Sequence, residues 1–171
     1  MVGVIGLFLN ICLLRHGPES VPTQTWFLLA LIAADVVIGG AGFALLADVP
    51  LSLALGTPIL GLAVLGSLTW FGLYVRDFGD RFLPTFAALV GCEVLISVPM
   101  LPALAVLTAW PIVQGTFALA FQIWQIVVNG FILGRALDTT LRVGILVAFG
   151  MWLIAIVVLQ ATLPPPPVPS P

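Results

Sequence analysis

The fold of this chain is decided by the stretch from residue 51 to residue 81, which reads LSLALGTPILGLAVLGSLTWFGLYVRDFGDR. The part from Leu51 to Val75 carries no charge, whereas the last six residues hold two arginines and two aspartates. An apolar run of about 20 residues is long enough to cross a bilayer as an α-helix, and arginines mark the cytoplasmic end of such a span. The stretch therefore predicts a transmembrane helix that ends at a cytoplasmic connection.

The rest of the chain repeats this pattern. Hydrophobic residues make up 61% of the 171 residues, charged residues only 7%, and the mean hydropathy is +1.26. A soluble domain would carry about a quarter charged residues, and a membrane β-barrel would alternate with period 2 in segments of about ten. We therefore predict an all-α, polytopic transmembrane helical bundle that forms one domain over residues 1–163. Its five spans are expected at about 26–47, 51–75, 82–102, 112–134 and 143–163.

Three segments depart from a plain span. The first apolar run, Met1 to Leu14, is shorter than the roughly 20 residues that a crossing needs, so we expect a short N-terminal interfacial helix in or dipping into the cytoplasmic face. The third span contains Pro99 and Pro102 and is expected to kink, or to end near Pro102. The Pro-rich tail, residues 164–171, is expected to be extended.

The arginines predict the orientation. All five basic residues are arginines, and they lie in residues 15–25, 76–81 and 135–142. The positive-inside rule then places the N-terminus in the cytoplasm and the C-terminus in the periplasm of a bacterial inner (cytoplasmic) membrane. If residues 1–14 do cross, the N-terminus moves outside and the other assignments stay. No basic patch is present that could neutralise a run of phosphates, so the expected partner is the lipid bilayer and not nucleic acid.

Two acids lie inside the predicted spans. Asp35 follows Trp26 by nine residues, about 14 Å into the membrane, and Glu93 follows Arg81 by twelve, about 18 Å. Both spans begin at the same face, so the two carboxyls are expected near the midplane at similar depth. Since a carboxylate there costs about 2.5–3.5 kcal/mol on insertion scales, we expect each acid to be protonated or paired with hydrogen-bond donors.

The fourth span supplies such donors along one helix face. Its four amide side chains are Gln114, Gln122, Gln125 and Asn129. At about 100° per residue they fall within an arc of roughly 80°, and they are expected to face the bundle because an amide turned to lipid would go unsatisfied. By depth, the sequence predicts an intramembrane polar cluster of Asp35, Glu93, Gln122, Gln125 and Asn129.

This cluster has two interpretations. It can hold helices together through hydrogen bonds that are each worth about 1 kcal/mol or less, or it can form a proton or solute path through the bundle. The first is favoured, because two acids with no Lys, Arg or His inside the membrane do not form a recognisable relay. Close helix contacts are predicted where small residues recur every fourth position, at Gly130/Gly134, Gly144/Ala148 and Ala63/Ser67.

Enzymatic chemistry has little support in the sequence. The single histidine, His16, excludes bis-His haem and His-x-x-x-His metal sites. Serine and threonine are present, but no histidine lies in the membrane to activate one. The two cysteines, Cys12 and Cys92, lie far apart in apolar runs and are interpreted as small buried residues. We therefore expect no catalytic residues, no cofactor and no metal.

Three stretches carry a family resemblance. They are Leu14-Arg15-His16-Gly17-Pro18 with Val21-Pro22, then Gly79 to Phe82 followed by Thr85, Leu89 and Pro99, and finally Trp124 with Gly130 to Asp138. The arrangement resembles small uncharacterised inner-membrane proteins of proteobacteria and, more distantly, the Yip1-type membrane domain. That resemblance implies five spans with a cytoplasmic N-terminus and a role without catalysis.

Two functions are consistent with these features. The first is a Yip1-like integral inner-membrane protein with a structural, assembly or membrane-organising role, which associates with itself or with other membrane proteins. The alternative is a small proton-linked transporter or channel subunit that uses the midplane acids Asp35 and Glu93.

Overall fold

A computed structural model describes residues 3–46 and 50–162, and six α-helices with no strand make up their regular structure apart from short 3₁₀ turns. The helices are α1 Val4–Cys12, α2 Thr25–Leu46, α3 Leu51–Val75, α4 Phe82–Val106, α5 Pro111–Ala136 and α6 Leu141–Thr162. Helices α2 to α6 are long and apolar enough to cross a membrane. The prediction of an all-α bundle with five spans and a short N-terminal helix is confirmed. Residues 1–2, residues 47–49 at and just after the end of the first predicted span, residue 163 at the end of the fifth, and the Pro-rich tail lie outside the described residues.

The predicted third span was too short. Helix α4 continues through Pro99 and Pro102 to Val106 and then tightens into a 3₁₀ turn over Leu107–Ala109. A proline removes one backbone hydrogen bond. Ending the helix inside lipid would leave several more backbone groups unsatisfied, because no water is available there, so a transmembrane helix continues through the proline. The Gln114 side chain of α5 donates to the Leu104 carbonyl at 3.1 Å, which satisfies an acceptor at the end of α4.

Helices α3 and α5 end in the same way. The residue after each helix cap, Asp77 or Asp138, has a positive φ, 60° and 51° respectively. The next N–H then turns back to the helix: Phe78 donates to the Leu73 carbonyl at 2.9 Å, and Thr139 donates to that of Gly134 at 2.8 Å. Aspartate tolerates this left-handed conformation better than most residues. These endings reverse the chain within a few residues at the same end of the bundle.

Ion pairs bring the three arginine-bearing segments together. Arg81 binds the Asp138 carboxylate and donates to the Ala136 carbonyl, each at 3.1 Å, and Arg135 binds Glu19 at 2.9 Å. We call the surface formed by residues 13–24, 76–81 and 137–140 the arginine face, because every arginine lies in it or within two residues of it. Both pairs are about half exposed and contribute little stability. Their value is that they join the three arginine-bearing segments at one end of the bundle.

Helix α1 lies against α4. Its 9 residues cover about 14 Å, too little to cross a bilayer. Phe8, Ile11 and Cys12 are buried, with the Phe8 ring seated on Gly91, where a Cβ would lie 2.8 Å from the ring atom Cδ1. Gly91 is nine residues beyond the start of α4, so α1 reaches roughly 13 Å below the arginine face. Its other side, which includes Ile5, is exposed.

Helices α5 and α6 form the closest helix contact. A Cβ added at Gly130 would lie 2.6 Å from the Ile145 Cα, and one added at Gly144 would lie 2.9 Å from the Gly134 Cα. The backbones can approach this closely only because these residues have no side chain.

The small-residue pair Ala63/Ser67 does not make such a contact, and that prediction was wrong. Both residues are exposed, and the Ser67 hydroxyl donates to the Ala63 carbonyl at 2.7 Å. A serine satisfied within its own helix can face lipid without a partner helix.

The densest packing lies near the arginine face. Apart from Ile11 of α1, the largest fully buried aliphatic side chains are Leu73, Leu89, Val90, Val128 and Ile132. Each lies within about 12 Å of the end of its helix at that face. The bundle is therefore tightly packed in the half next to the arginine face.

Candidate functional site

The other half of the bundle encloses a cavity of about 540 Å³. All five long helices contribute to its wall, and most of the lining residues lie from near the bundle midplane towards the end opposite the arginine face. Its floor, on the side of the arginine face, is formed by Leu133 and Ala148 of the packed core and by the first lining residues of α2 and α4, Asp35 and Glu93. Its outer wall includes Phe43, Leu104 and Leu159. The cavity is partly open, so a molecule that enters it is not sealed from its surroundings.

The two acids of the predicted cluster both line this cavity. Asp35 lies ten residues into α2, and Glu93 lies eleven residues into α4, so each is about 15–17 Å from the arginine-face end of its helix. Asp35 is only 7% exposed, and Glu93 is half-buried because it faces the open space. Their carboxyls are close enough for their charges to interact. The depths estimated from the sequence agree with this placement.

Helix α5 places three of its amides at the same cavity. Gln122, Gln125 and Asn129 all line it and are half-buried, and Gln125 lies near Glu93. Gln114, the outermost amide of the stripe, is also half-buried but binds the Leu104 carbonyl and does not line the cavity. The stripe thus faces the bundle along its whole length. Its outermost amide binds the end of α4, whereas the other three amides line the cavity.

Some lining residues were missed by the reasoning from the sequence. Ser97 lies one helix turn beyond Glu93 and shares its face, a spacing that could have identified it. Thr57 of α3 is buried at the cavity, and its hydroxyl donates to the Leu53 carbonyl at 2.8 Å. Helix α6 contributes Met151 and Trp152 to the wall. No polar residue on that face of α6 marked it as part of a site.

The ionisable side chains that line the cavity are acids. Asp35 and Glu93 are its only ionisable lining residues in the part of the chain that the structure describes, and the arginines lie at the arginine face. Within that part, no group donates a hydrogen bond to the Asp35 carboxyl. A buried carboxylate needs a proton, a donor or a cation beside it. The site can therefore take up a proton or a positively charged group.

The two cysteines meet, although they are 80 positions apart in sequence. Cys12 of α1 and Cys92 of α4 are buried side by side in one cluster, both as free thiols. Cys92 is adjacent to Glu93 in sequence but belongs to the packed core and not to the cavity wall. Over residues 3–46 and 50–162, no group of three His, Cys, Asp or Glu side chains is placed to hold a metal ion.

Comparison of the chain with protein-family models, with curated proteins and with solved structures finds no match. The five apolar helices define a multi-pass membrane protein. The resemblance to Yip1-type domains stays a prediction from the sequence.

Proposed function

We propose that this protein is a small proton-linked membrane transporter or channel subunit whose working site is the cavity with Asp35 and Glu93 at its floor. The observation that carries the proposal is the Asp35 carboxyl, which is 7% exposed, lines the cavity and receives no hydrogen bond from the described residues. A carboxyl that only held helices together would be expected to bind a donor on the neighbouring helix. A carboxyl left unpaired at the floor of a cavity can exchange a proton with whatever enters.

Three further features support this function. The second carboxyl, that of Glu93, lines the same cavity at a similar depth. The amides of Gln122 and Asn129 offer donors that can bind a solute or guide water. Intramembrane acids that face a cavity commonly mark such paths.

Proton flux in liposomes tests the proposal. The purified full chain is reconstituted with a pH-sensitive dye inside the vesicles, and a proton gradient is applied. Dissipation faster than in empty vesicles is expected, and it should be lost in Asp35→Asn and Glu93→Gln. Asp80→Asn is the matched control, because it makes the same chemical change at an exposed carboxyl of the arginine face. Flux that is equal in the two cavity variants and the control would refute the proposal.

The second candidate is the structural, assembly or membrane-organising role without catalysis that the Yip1 resemblance implies. Part of the amide stripe favours it, since Gln114 ties α5 to the end of α4 and Gln125 lies near Glu93 across the same two helices. Under this function the liposomes conduct neither protons nor ions. Crosslinking in native membranes would then recover copies of the chain or neighbouring membrane proteins.

For either function we propose the same orientation. The arginine face lies in the cytoplasm of a bacterial inner membrane, which places the N-terminus inside and the C-terminus in the periplasm. The support is that every arginine lies at one end of the bundle, held there in part by the ion pairs Arg81–Asp138 and Arg135–Glu19. The cavity then faces the periplasmic half of the membrane.

A further inference from the structure

We propose that the cavity binds hydrophobic organic monocations, such as amines or onium ions with a large apolar body, in exchange for a proton. This inference rests on the proposed function and names the class of solute. It follows from the size of the cavity, the chemistry of its wall and the sign of its charge.

The size of the cavity favours an organic ligand over a bare ion. A volume of about 540 Å³ falls in the range of about 300–1,000 Å³ that small-molecule sites occupy. A proton or a metal ion would leave most of that space unfilled. An apolar body of several carbon rings or chains would fill it.

The wall has the composition that such a body needs. Most of the lining side chains are apolar, and they include Phe43, Leu65, Met100, Met151 and Trp152. Methionine adapts its shape to different ligands, and the face of a tryptophan ring attracts cations as well as apolar groups. Apolar surface of a ligand would be removed from water against this wall, which favours binding.

The carboxyls at the floor of the cavity determine the sign of the charge that a ligand can carry. Two carboxyls face the cavity from α2 and α4, and the described lining residues of α3, α5 and α6 include no titratable group. Cys12 of α1 and Cys92 of α4, the other titratable groups nearby, belong to the packed core. An anion would meet repulsion without any compensating cation. A monocation would instead replace the proton that otherwise neutralises a carboxylate in this apolar setting.

The exchange needs no covalent step. A carboxyl at the floor, Asp35 or Glu93, releases its proton to water, and the cation that arrives takes its place as the neutralising charge. One positive charge is lost from the site and one is gained. Binding is therefore expected to weaken as the pH falls, because protons compete for the same carboxyls.

Two probes of the same shape and opposite charge test the inference. The full chain in detergent is titrated with tetraphenylphosphonium and, separately, with tetraphenylborate, and binding is measured by calorimetry. Saturable binding is expected for the cation alone, weakened at least tenfold in Asp35→Asn combined with Glu93→Gln and unchanged in Asp80→Asn. Equal binding of the anion, or undiminished binding of the cation by the double variant, would overturn the inference.

Proton release provides a second measurement that needs no variant. In weakly buffered solution at mildly acidic pH, the wild-type protein should release protons when tetraphenylphosphonium binds. Binding without any release would contradict the exchange. Proton flux in liposomes without binding of tetraphenylphosphonium would overturn the ligand class and leave the proposed function standing. The absence of both flux and binding would refute the ligand class and the proposed function together.

Discussion

The contact between α5 and α6 offers the sharpest test of the packing. Gly144→Ala adds one methyl group where the α5 backbone leaves no room: the new Cβ would lie 2.8 Å from the Gly134 nitrogen and would also meet the Gly130 carbonyl. These neighbours are backbone atoms and cannot rotate away. Gly150→Ala makes the same change on the same helix, but no atom lies within 4 Å of the added Cβ.

The two substitutions should therefore move stability in opposite directions. Replacing a mid-helix glycine by alanine contributes about 0.5–1 kcal/mol of stabilisation, because the unfolded backbone loses freedom. This term is common to both variants. Overpacking at Gly144 costs about 1–3 kcal/mol more, since the helices must separate or bend. We expect Gly150→Ala to be slightly more stable than the wild type and Gly144→Ala to lie about 1–3 kcal/mol below Gly150→Ala.

Reversible unfolding in mixed micelles measures this difference. The protein is titrated with sodium dodecyl sulfate while its helix content and tryptophan fluorescence are followed, and the unfolding free energies are compared at the same detergent fraction. A Gly144→Ala variant as stable as Gly150→Ala would refute the close backbone contact. So would a loss of stability of the same size in both variants.

Three other predictions test the site, the N-terminal helix and the orientation. Gln125→Leu should cost about 1–3 kcal/mol of unfolding free energy because it removes an amide beside the half-buried Glu93 carboxyl, whereas Glu93→Gln should cost about 1 kcal/mol or less; equal costs would argue against their proximity. Gly91→Leu should displace the Phe8 ring and raise the rate at which maleimide labels Cys12, which is buried in the wild type; an unchanged rate would contradict the seating of α1 on α4. A reporter inserted beside Asp138 should report the cytoplasm, and a periplasmic signal would reverse the proposed orientation.

Depth and helical periodicity made the cavity residues predictable. Asp35 and Glu93 could be placed at one level because both helices start at the same face and rise by the same amount per residue. The amide stripe could be assigned to the interior because lipid cannot satisfy an amide. Five side chains from α2, α4 and α5 could thus be assigned to one place in the bundle.

The features that escaped prediction depend on contacts with no periodic signal. A proline can either kink or end a helix, so local propensity left open whether α4 continues past Pro102. Gln114 has the same spacing as the other amides, yet the neighbouring end of α4 gives it a different partner. The meeting of Cys12 with Cys92 depends on how α1 crosses α4, and no feature of a 9-residue helix encodes that angle.

The seating of the N-terminal segment has a consequence for biogenesis. Glu19 and Arg135 are separated by 116 residues, and α1 packs on a helix that begins at Phe82. At an elongation rate of about 20 residues per second, roughly 6 seconds pass between the synthesis of these two ion-pair partners. Phe8 and Ile11 likewise lack the contacts that bury them until α4 has been synthesised. Helix α1 thus leaves the ribosome well before the helix on which it packs, and insertion of the later helices completes its burial.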